Sequence, residues 1–271
     1  MTRAQTTALL APGLGWLALF LLLPCFLLLL NALLGSDGTI TAERFRTIFA
    51  PEHRELLQTS LRVAVLATLF ALLLGCPAAW AIALAPRRRQ ALLLLLVLLP
   101  FFTSALFQSY AWAVLLRPDG PIAAAFQAIG LTPAELLGHR WCVVLGLVYT
   151  YLPFVVLAVY AALRRQDPAL LEASTNLGAS RWRTFRRISL PLTLPGLLQG
   201  ALFVFALSLG NFLMPDLLAG RAVPTLGTEV YDRFLTRPDW PTGSALASLL
   251  VGLMLLLLFA QALLAAHEDR R

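Results

Sequence analysis

Asp167-Pro168-Ala169-Leu170-Leu171-Glu172-Ala173-Ser174-Thr175-Asn176-Leu177-Gly178-Ala179-Ser180-Arg181-Trp182-Arg183-Thr184-Phe185-Arg186-Arg187-Ile188-Ser189-Leu190-Pro191 lies between two long apolar runs and reads as two short helices joined by a turn. Asp167 is placed to cap free amides, and Pro168 fits a first helical turn, where its missing N–H costs nothing. Gly178 supplies a stop, because it enters the left-handed conformation that ends a helix. Ser180 can cap a second helix that carries the arginines and leads into the next apolar run at Pro191. Over 164–190, Arg164, Arg165, Arg181, Arg183, Arg186 and Arg187 stand against Asp167 and Glu172, so the loop nets 6 − 2 = +4. A short Arg-rich loop between apolar runs marks the cytoplasmic side of a membrane.

Working outward, six apolar segments appear, at 9–34, 59–85, 91–116, 141–163, 192–218 and 243–266. Each can cross a hydrocarbon layer of about 30 Å at about 1.5 Å per residue, allowing for tilt. Barrel strands would alternate in period two over about ten residues, and these runs do not. Helices are the remaining way to satisfy every backbone amide in lipid. The composition agrees: 59% hydrophobic and 13% charged, against roughly 25% charged and 45–50% apolar in a soluble domain. That balance excludes an ordinary soluble enzyme and a disordered chain. The expected fold is an all-α integral membrane protein, a single domain of six transmembrane helices over residues 1–271. The first run continues past Cys25 to Leu34, too long for a signal-peptide core, and Pro24 stands where a lipoprotein cleavage box wants a small residue. It reads as an uncleaved first helix.

The other loops give a consistent orientation. Arg87-Arg88-Arg89 fill the second loop without an acid, the first loop (35–58) nets −1, and the third and fifth net zero. With Arg3 at the start, the alternation places both termini in the cytoplasm. These loops account for most of the net charge of +7, so topology explains the charge better than nucleic-acid binding does. The cationic residues are all Arg, with no Lys, which fits a GC-rich genome better than a chemical need. Cys25, Cys76 and Cys142 lie in or beside apolar runs without CxxC spacing and read as small buried hydrophobes.

Five spans carry an internal proline: Pro24, Pro77, Pro100, Pro153 and Pro195. Each removes a donor and tends to kink its helix; this serves either packing or a bundle that bends as it works. In the third loop, Pro121 opens a short segment with Ile122, Phe126 and Ile129 on one face and Gly130 at its end. The spacing predicts a small amphipathic helix on the outer surface, a seat for a partner or a lid over the bundle.

Glu172-Ala173-Ser174, three residues, Gly178, nine residues, then Ile188-Ser189-Leu190-Pro191 resembles the EAA loop of ABC-importer permeases, with Ser174 replacing the second Ala. Four elements fall in register across twenty residues of 164–191. The resemblance implies a type I, MetI-like bundle. It also implies that Leu170, Leu171, Glu172, Ala173, Ser174, Gly178, Ile188, Leu190 and Pro191 form the segment that docks into a cleft on a partner ATPase. ATP and Mg would be bound there, with no cofactor and no metal in this chain. The chain itself lacks a GxxxxGK[ST] loop.

A closer resemblance spans about 57–249, within a family-like core of 57–266. Ser60-Leu61-Arg62-Val63-Ala64 with Gly75-Cys76-Pro77 is similar to the family's second span. Leu99 to Ser104 with Tyr110-Ala111-Trp112, Gly146 to Phe154, Met214 to Leu218, and Asp239-Trp240-Pro241 with Gly243-Ser244-Ala245 resemble the spermidine/putrescine (PotB-type) permeases. That resemblance implies polyamine import across a bacterial inner membrane. The implied partners are a second homologous permease, two cytoplasmic ATPase subunits and a periplasmic substrate-binding protein. Two positions depart from the branch. Gln108 stands where Arg is frequent, and Asn211 where an acid is frequent. Both changes remove intramembrane charge and bear on the substrate class, leaving open another small solute such as an aminophosphonate, opine, thiamine or ferric iron.

Ionisable residues inside spans are functional candidates by default. Asp216, near the outer end of the fifth span, can attract a cation, contact the binding protein, cap local backbone or pair with an Arg of the second permease. Gln108, Ser109, Tyr110 and Trp112 form a polar-aromatic cluster suited to an aliphatic ammonium, or an interfacial aromatic belt. Tyr149, Tyr151, Ser208 and Asn211 are candidates of the same kind. Arg62 begins the second span and is expected to snorkel to the outer surface. An intramembrane enzyme is disfavoured, because HExxH, GxSxG and paired acids or histidines within spans are missing; His53, His139 and His267 fall in loops or the tail. A secondary transporter is disfavoured because twelve-helix inverted repeats are absent and the EAA-like loop would have no purpose.

Overall fold

A computed structural model describes residues 10–13, 15–34, 51–130 and 136–268. Arg3 and most of the first loop, on which part of the orientation argument rests, lie outside the described residues. The described residues are helical throughout their spans: α1 (Leu10–Leu33), α2 (Pro51–Leu84), α3 (Arg87–Leu98), α4 (Ala105–Leu115), α5 (Pro121–Ala128), α6 (Arg140–Arg164), α7 (Pro168–Asn176), α8 (Arg181–Gly210), α9 (Leu213–Ala219), α10 (Leu226–Tyr231) and α11 (Trp240–Glu268). The chain divides into two compact units, Met1–Leu56 with Glu229–Leu255, and Leu57–Thr228 with Leu256–Arg271.

In the first unit, α1 is apolar all round, and Trp16, Phe20, Leu22 and Phe26 are exposed, as expected of a lipid-facing span. A π-turn at Ala18–Leu22 ends two residues before Pro24. Between α10 and α11 the chain is tied by one guanidinium. Arg233 donates to Glu229 at 2.7 Å and to Asp239 at 2.7 Å. Burial works against the charged Asp239, but hydrogen bonds from Thr242 and Arg233 and the Arg233 charge outweigh it and hold the carboxyl below its ordinary value. Asp239 also accepts from the Thr242 amide at 3.3 Å, so it caps the start of the last span. The Asp-Trp-Pro run is thus a helix start.

The second unit is built on α6. Near its start, Cys142, Val143, Leu147 and Val148 pack with Val63 and Ala67 of α2 and with Met214 and Leu218 of α9. Further along, Val155, Val156 and Val159 pack with Ala71, Ala79 and Ile82 of α2 and with Val204 of α8. Pro153 lies inside α6, Pro77 inside α2 and Pro195 inside α8. Cys142 is buried in the first of these clusters and its thiol donates to the His139 carbonyl at 2.7 Å, the small-hydrophobe role expected of it. Helix α8 packs closely on α6. A Cβ added at Gly196 would lie 2.6 Å from the Ala162 Cβ and 2.8 Å from the Ala158 carbonyl oxygen, a close approach that only a small residue allows.

Among the described residues, five helices are long and apolar enough to span a membrane, and a sixth span forms if a bent pair counts as one. That pair is the third expected span, which is not one helix. It runs from Arg87 to Phe102, turns by 91°, and resumes at Ala105. Pro100 is the second residue of a 3₁₀ turn, Leu99–Phe102, and Thr103 and Ser104 are extended. The fifth expected span also stops early. Helix α8 ends at Gly210, Asn211 is extended with ψ 124°, and α9 starts again at Leu213. The small helix expected in the third loop is present as α5, followed by Gly130 at φ 76°.

Candidate functional site

The loop after α6 forms as its residues dictate. Asp167 accepts from the Ala169 amide at 2.9 Å and opens α7. Ala179 donates to the Ser174 carbonyl at 3.1 Å and Gly178 to the Thr175 carbonyl at 2.9 Å, the paired closure of a helix that ends in a left-handed residue. Gly178 has φ 73°, and its missing Cβ faces open space. Ser180 accepts from the Arg183 amide at 3.4 Å, and the arginine helix runs through a π-turn, Phe185–Ser189, into the fifth span.

The outer face of this loop is bare. Leu170, Glu172, Ala173, Gly178 and Pro191 are exposed, and Leu171, Ile188 and Leu190 half-buried. Leu177 and Trp182 are also exposed, at 88% and 68%. Ser174 is the exception, 8% exposed. Its hydroxyl lies 2.8 Å from that of Thr184, so it holds α7 against the start of α8. Gln166, which the sequence reading passed over, donates to the Ser189 carbonyl at 3.0 Å and to Thr193 at 2.9 Å. It ties the end of α6 to the root of the fifth span.

The intramembrane candidates converge on three consecutive residues of α6. The Tyr149 ring meets Trp112 of α4 edge-on at 5.6 Å. Thr150 donates to the Gln108 side-chain oxygen at 3.1 Å. Tyr151 accepts from Asn211 at 2.8 Å. Each residue therefore touches one of the two broken spans.

The two amides that depart from the family pattern close those breaks. Gln108 is 5% exposed, and its amide donates to the Pro100 carbonyl and, at 3.3 Å, to the Thr103 carbonyl. The Pro100 carbonyl also accepts from the Thr103 amide at 3.2 Å, so Gln108 reinforces that closing turn and adds a donor for the carbonyl of the extended Thr103. Asn211 accepts from the Met214 amide at 2.9 Å and so caps α9. Behind it, a Cβ at Gly227 would lie 2.8 Å from the Asn211 carbonyl oxygen, and the Leu226 amide donates to Ser60 at 2.7 Å. Ser60 and Thr150 entered only as members of the stretches that carry the resemblance, and Gly227 not at all; a polar or small residue in an apolar run was the available signal. Ser109 folds back onto the Ala105 carbonyl at 2.8 Å, and the Ser208 hydroxyl is buried without a partner among the described residues. Tyr110 and Asp216 stand apart: both are exposed, and the Asp216 carboxylate makes no ion pair among the described residues.

Asn211→Leu removes both the cap and the Tyr151 bond. It is expected to destabilise the bundle by about 1–3 kcal/mol, because a buried amide loses its acceptor. Thermal unfolding of the purified chain in detergent checks this; an unchanged midpoint would mean the break is held without Asn211.

Broken helices next to polar side chains are where transporters expose backbone to a cargo path. The comparisons give the family and the fold. Residues 14–270 match the family model described as binding-protein-dependent transport system inner membrane component. The chain is 36% identical over 253 residues to the spermidine/putrescine transport system permease protein PotB of Haemophilus influenzae, covering 90% of this chain and 88% of that one. Among solved structures it superposes on a chain of a bacterial alginate ABC transporter in complex with its periplasmic protein. The TM-score is 0.80 at 21% identity, over 95% and 92% of the two chains. It also superposes on a chain of the MetNI methionine ABC transporter in an inward-facing conformation, with TM-score 0.60 at 20% identity, over 80% and 99%. The chain belongs to the family of binding-protein-dependent transport system inner membrane components, and it is a multi-pass inner-membrane permease subunit of an ABC importer.

Proposed function

We propose that this permease moves polyamines, spermidine and putrescine, or a closely related small organic cation, by alternating access. The likeness to spermidine/putrescine permeases over nine-tenths of the chain carries the substrate class. The edge-on Trp112 and Tyr149 rings beside neutral amides support it. Aromatic faces attract an alkylammonium without the deep trap that a buried fixed charge would set. A second homologous permease completes the path, and a loaded periplasmic binding protein docks on the outer loops. Two cytoplasmic ATPase subunits bind ATP and Mg, and their closure pushes on α7 around Glu172 and Gly178. Both termini face the cytoplasm, on the side of Arg87, Arg88, Arg89 and the α7 loop. Each ligand shifts the equilibrium only by binding one state better than the other.

The test is ATPase activity of the reconstituted importer with its binding protein, with and without spermidine or putrescine. Stimulation by a polyamine is the expected result. Stimulation only by an aminophosphonate, an opine, thiamine or ferric iron would overturn the substrate reading and keep the importer. Asp216 is assigned to the outer approach of the path, because its carboxylate is exposed and unpaired among the described residues. Asp216→Asn is expected to raise the concentration of cationic substrate needed for half-maximal uptake several-fold, about what one lost charge contact contributes at a partly solvated site. Unchanged uptake kinetics would remove Asp216 from the path.

A further inference from the structure

We infer that α2 and α6 form a binding site for a phospholipid with a net-negative headgroup, recognised by Arg62 and Arg140. A groove of ≈ 380 Å³ at this end of the bundle is lined by Gln58, Leu61, Arg62, Val65 and Leu66 of α2 and by Arg140 of α6. The five α2 residues fall at i, i+3, i+4, i+7 and i+8, so they form one stripe along the helix. Among the described residues, neither guanidinium takes part in an ion pair and no acid lines the groove. Arg140 is also the first residue of the 25-residue α6, and its N-cap, His139, makes no side-chain capping bond. The positive end of the helix dipole therefore adds to the two side-chain charges.

Depth and length match a lipid. Next to Arg140, Trp141 is 59% exposed and meets Phe70 edge-on at 6.1 Å, the position an interfacial tryptophan takes at headgroup level. From Arg62 the α2 stripe continues through Val65, Leu69 and Leu73, which are 41%, 56% and 65% exposed. Eleven residues of helix from Arg62 to Leu73 extend about 16 Å, close to half of a hydrocarbon core of about 30 Å. An acyl chain laid on this stripe thus reaches the bilayer centre while its phosphodiester sits between two arginines. The guanidinium fork suits that group. Two cations with no acid among the described lining residues favour phosphatidylglycerol or cardiolipin over a zwitterionic headgroup, whose own ammonium would meet them. Placement in the outer leaflet follows from the orientation proposed above; the lipid preference itself does not depend on it, nor on the substrate.

The test uses the assembled importer in nanodiscs of equimolar phosphatidylglycerol and phosphatidylcholine, read by native mass spectrometry. The wild-type complex is expected to retain phosphatidylglycerol over phosphatidylcholine by about tenfold, the scale of one charge-assisted hydrogen bond. The R62Q/R140Q double variant should lose that preference, and R62K/R140K should keep most of it. In discs with brominated phosphatidylglycerol acyl chains, the fluorescence assigned to Trp141 by difference from W141F should be quenched, and less so with brominated phosphatidylcholine. Equal retention of both lipids by the wild type would overturn the inference, and so would an unchanged preference in R62Q/R140Q. Displacement of the lipid by millimolar inorganic phosphate would reduce the site to one for free anions. An unquenched Trp141 would mean that protein covers the groove.

Discussion

Gly178→Asp is expected to abolish substrate-stimulated ATPase activity and uptake while leaving the protein inserted in the membrane. Gly178 stands at φ 73°, a conformation that an L side chain enters only at a cost of about 1–2 kcal/mol. That strain is small against a membrane bundle, and nothing lies within 4 Å of the missing Cβ, so the fold itself has room for the change. The docked state does not. In the proposed coupling role, the turn between α7 and α8 is pressed into the ATPase cleft, where a side chain and an unpaired carboxylate lose both shape and solvation. Gly178→Ala separates the two effects, because it carries the strain without the charge and should retain much of the activity. Uptake and ATPase assays on the two variants, with membrane content measured alongside, decide the matter. Normal uptake by Gly178→Asp would remove α7 from the coupling role.

Gly196→Val acts at the other extreme, on the fold. Its Cβ would enter within 2.6 Å of the Ala162 Cβ and 2.8 Å of the Ala158 carbonyl oxygen. The second neighbour is backbone, which cannot swing aside as the end of a side chain can. Helix α8 would have to back away from α6, disrupting the packing of Val155, Val156 and Val159 with Val204. Overpacking of a tight core costs about 1–3 kcal/mol even when side chains adjust. A forced helix separation exceeds that range, so little folded protein should be recovered from membranes. Gly252, with nothing within 4 Å of its missing Cβ, is the control, and Gly252→Ala should be recovered at the wild-type level. Size-exclusion profiles in detergent compare the variants, and a monodisperse Gly196→Val peak at wild-type yield would refute the close-packing argument.

Much of the candidate site was legible because its signals are local. Asp167, Gly178 and Ser180 act on amides and carbonyls within a few residues, and the structure places the bonds of all three where the sequence predicts them. The role of Ser174 was not legible. Its hydroxyl turns inward to Thr184, ten residues on, and the motif alone assigns it to the same docking segment as Glu172 and Ala173. Gln108 and Asn211 read from sequence as lost charges in a cargo path. In the structure they first serve the backbone, each closing the break in its own span while reaching a neighbour on α6.

By itself the sequence determined that this protein is a bundle of apolar helices, where those helices lie and where the α7 loop starts and stops. Hydrophobic length and capping are properties of neighbouring residues, and in lipid the backbone can satisfy itself only along the helix. The tertiary structure decided that two of the spans are broken, and at which residues. The Thr103 carbonyl, met by Gln108, and the Met214 amide, met by Asn211, are tolerable at these breaks only where a side chain reaches them. Their closure depends on Thr150 and Tyr151, 42 and 60 residues away from Gln108 and Asn211. Hydropathy averages over such bonds, because a single polar side chain scarcely changes the apolar sum of a twenty-residue window. A polar group in lipid nevertheless costs several kcal/mol if left alone, so its partner, found only by folding, sets where the helix ends.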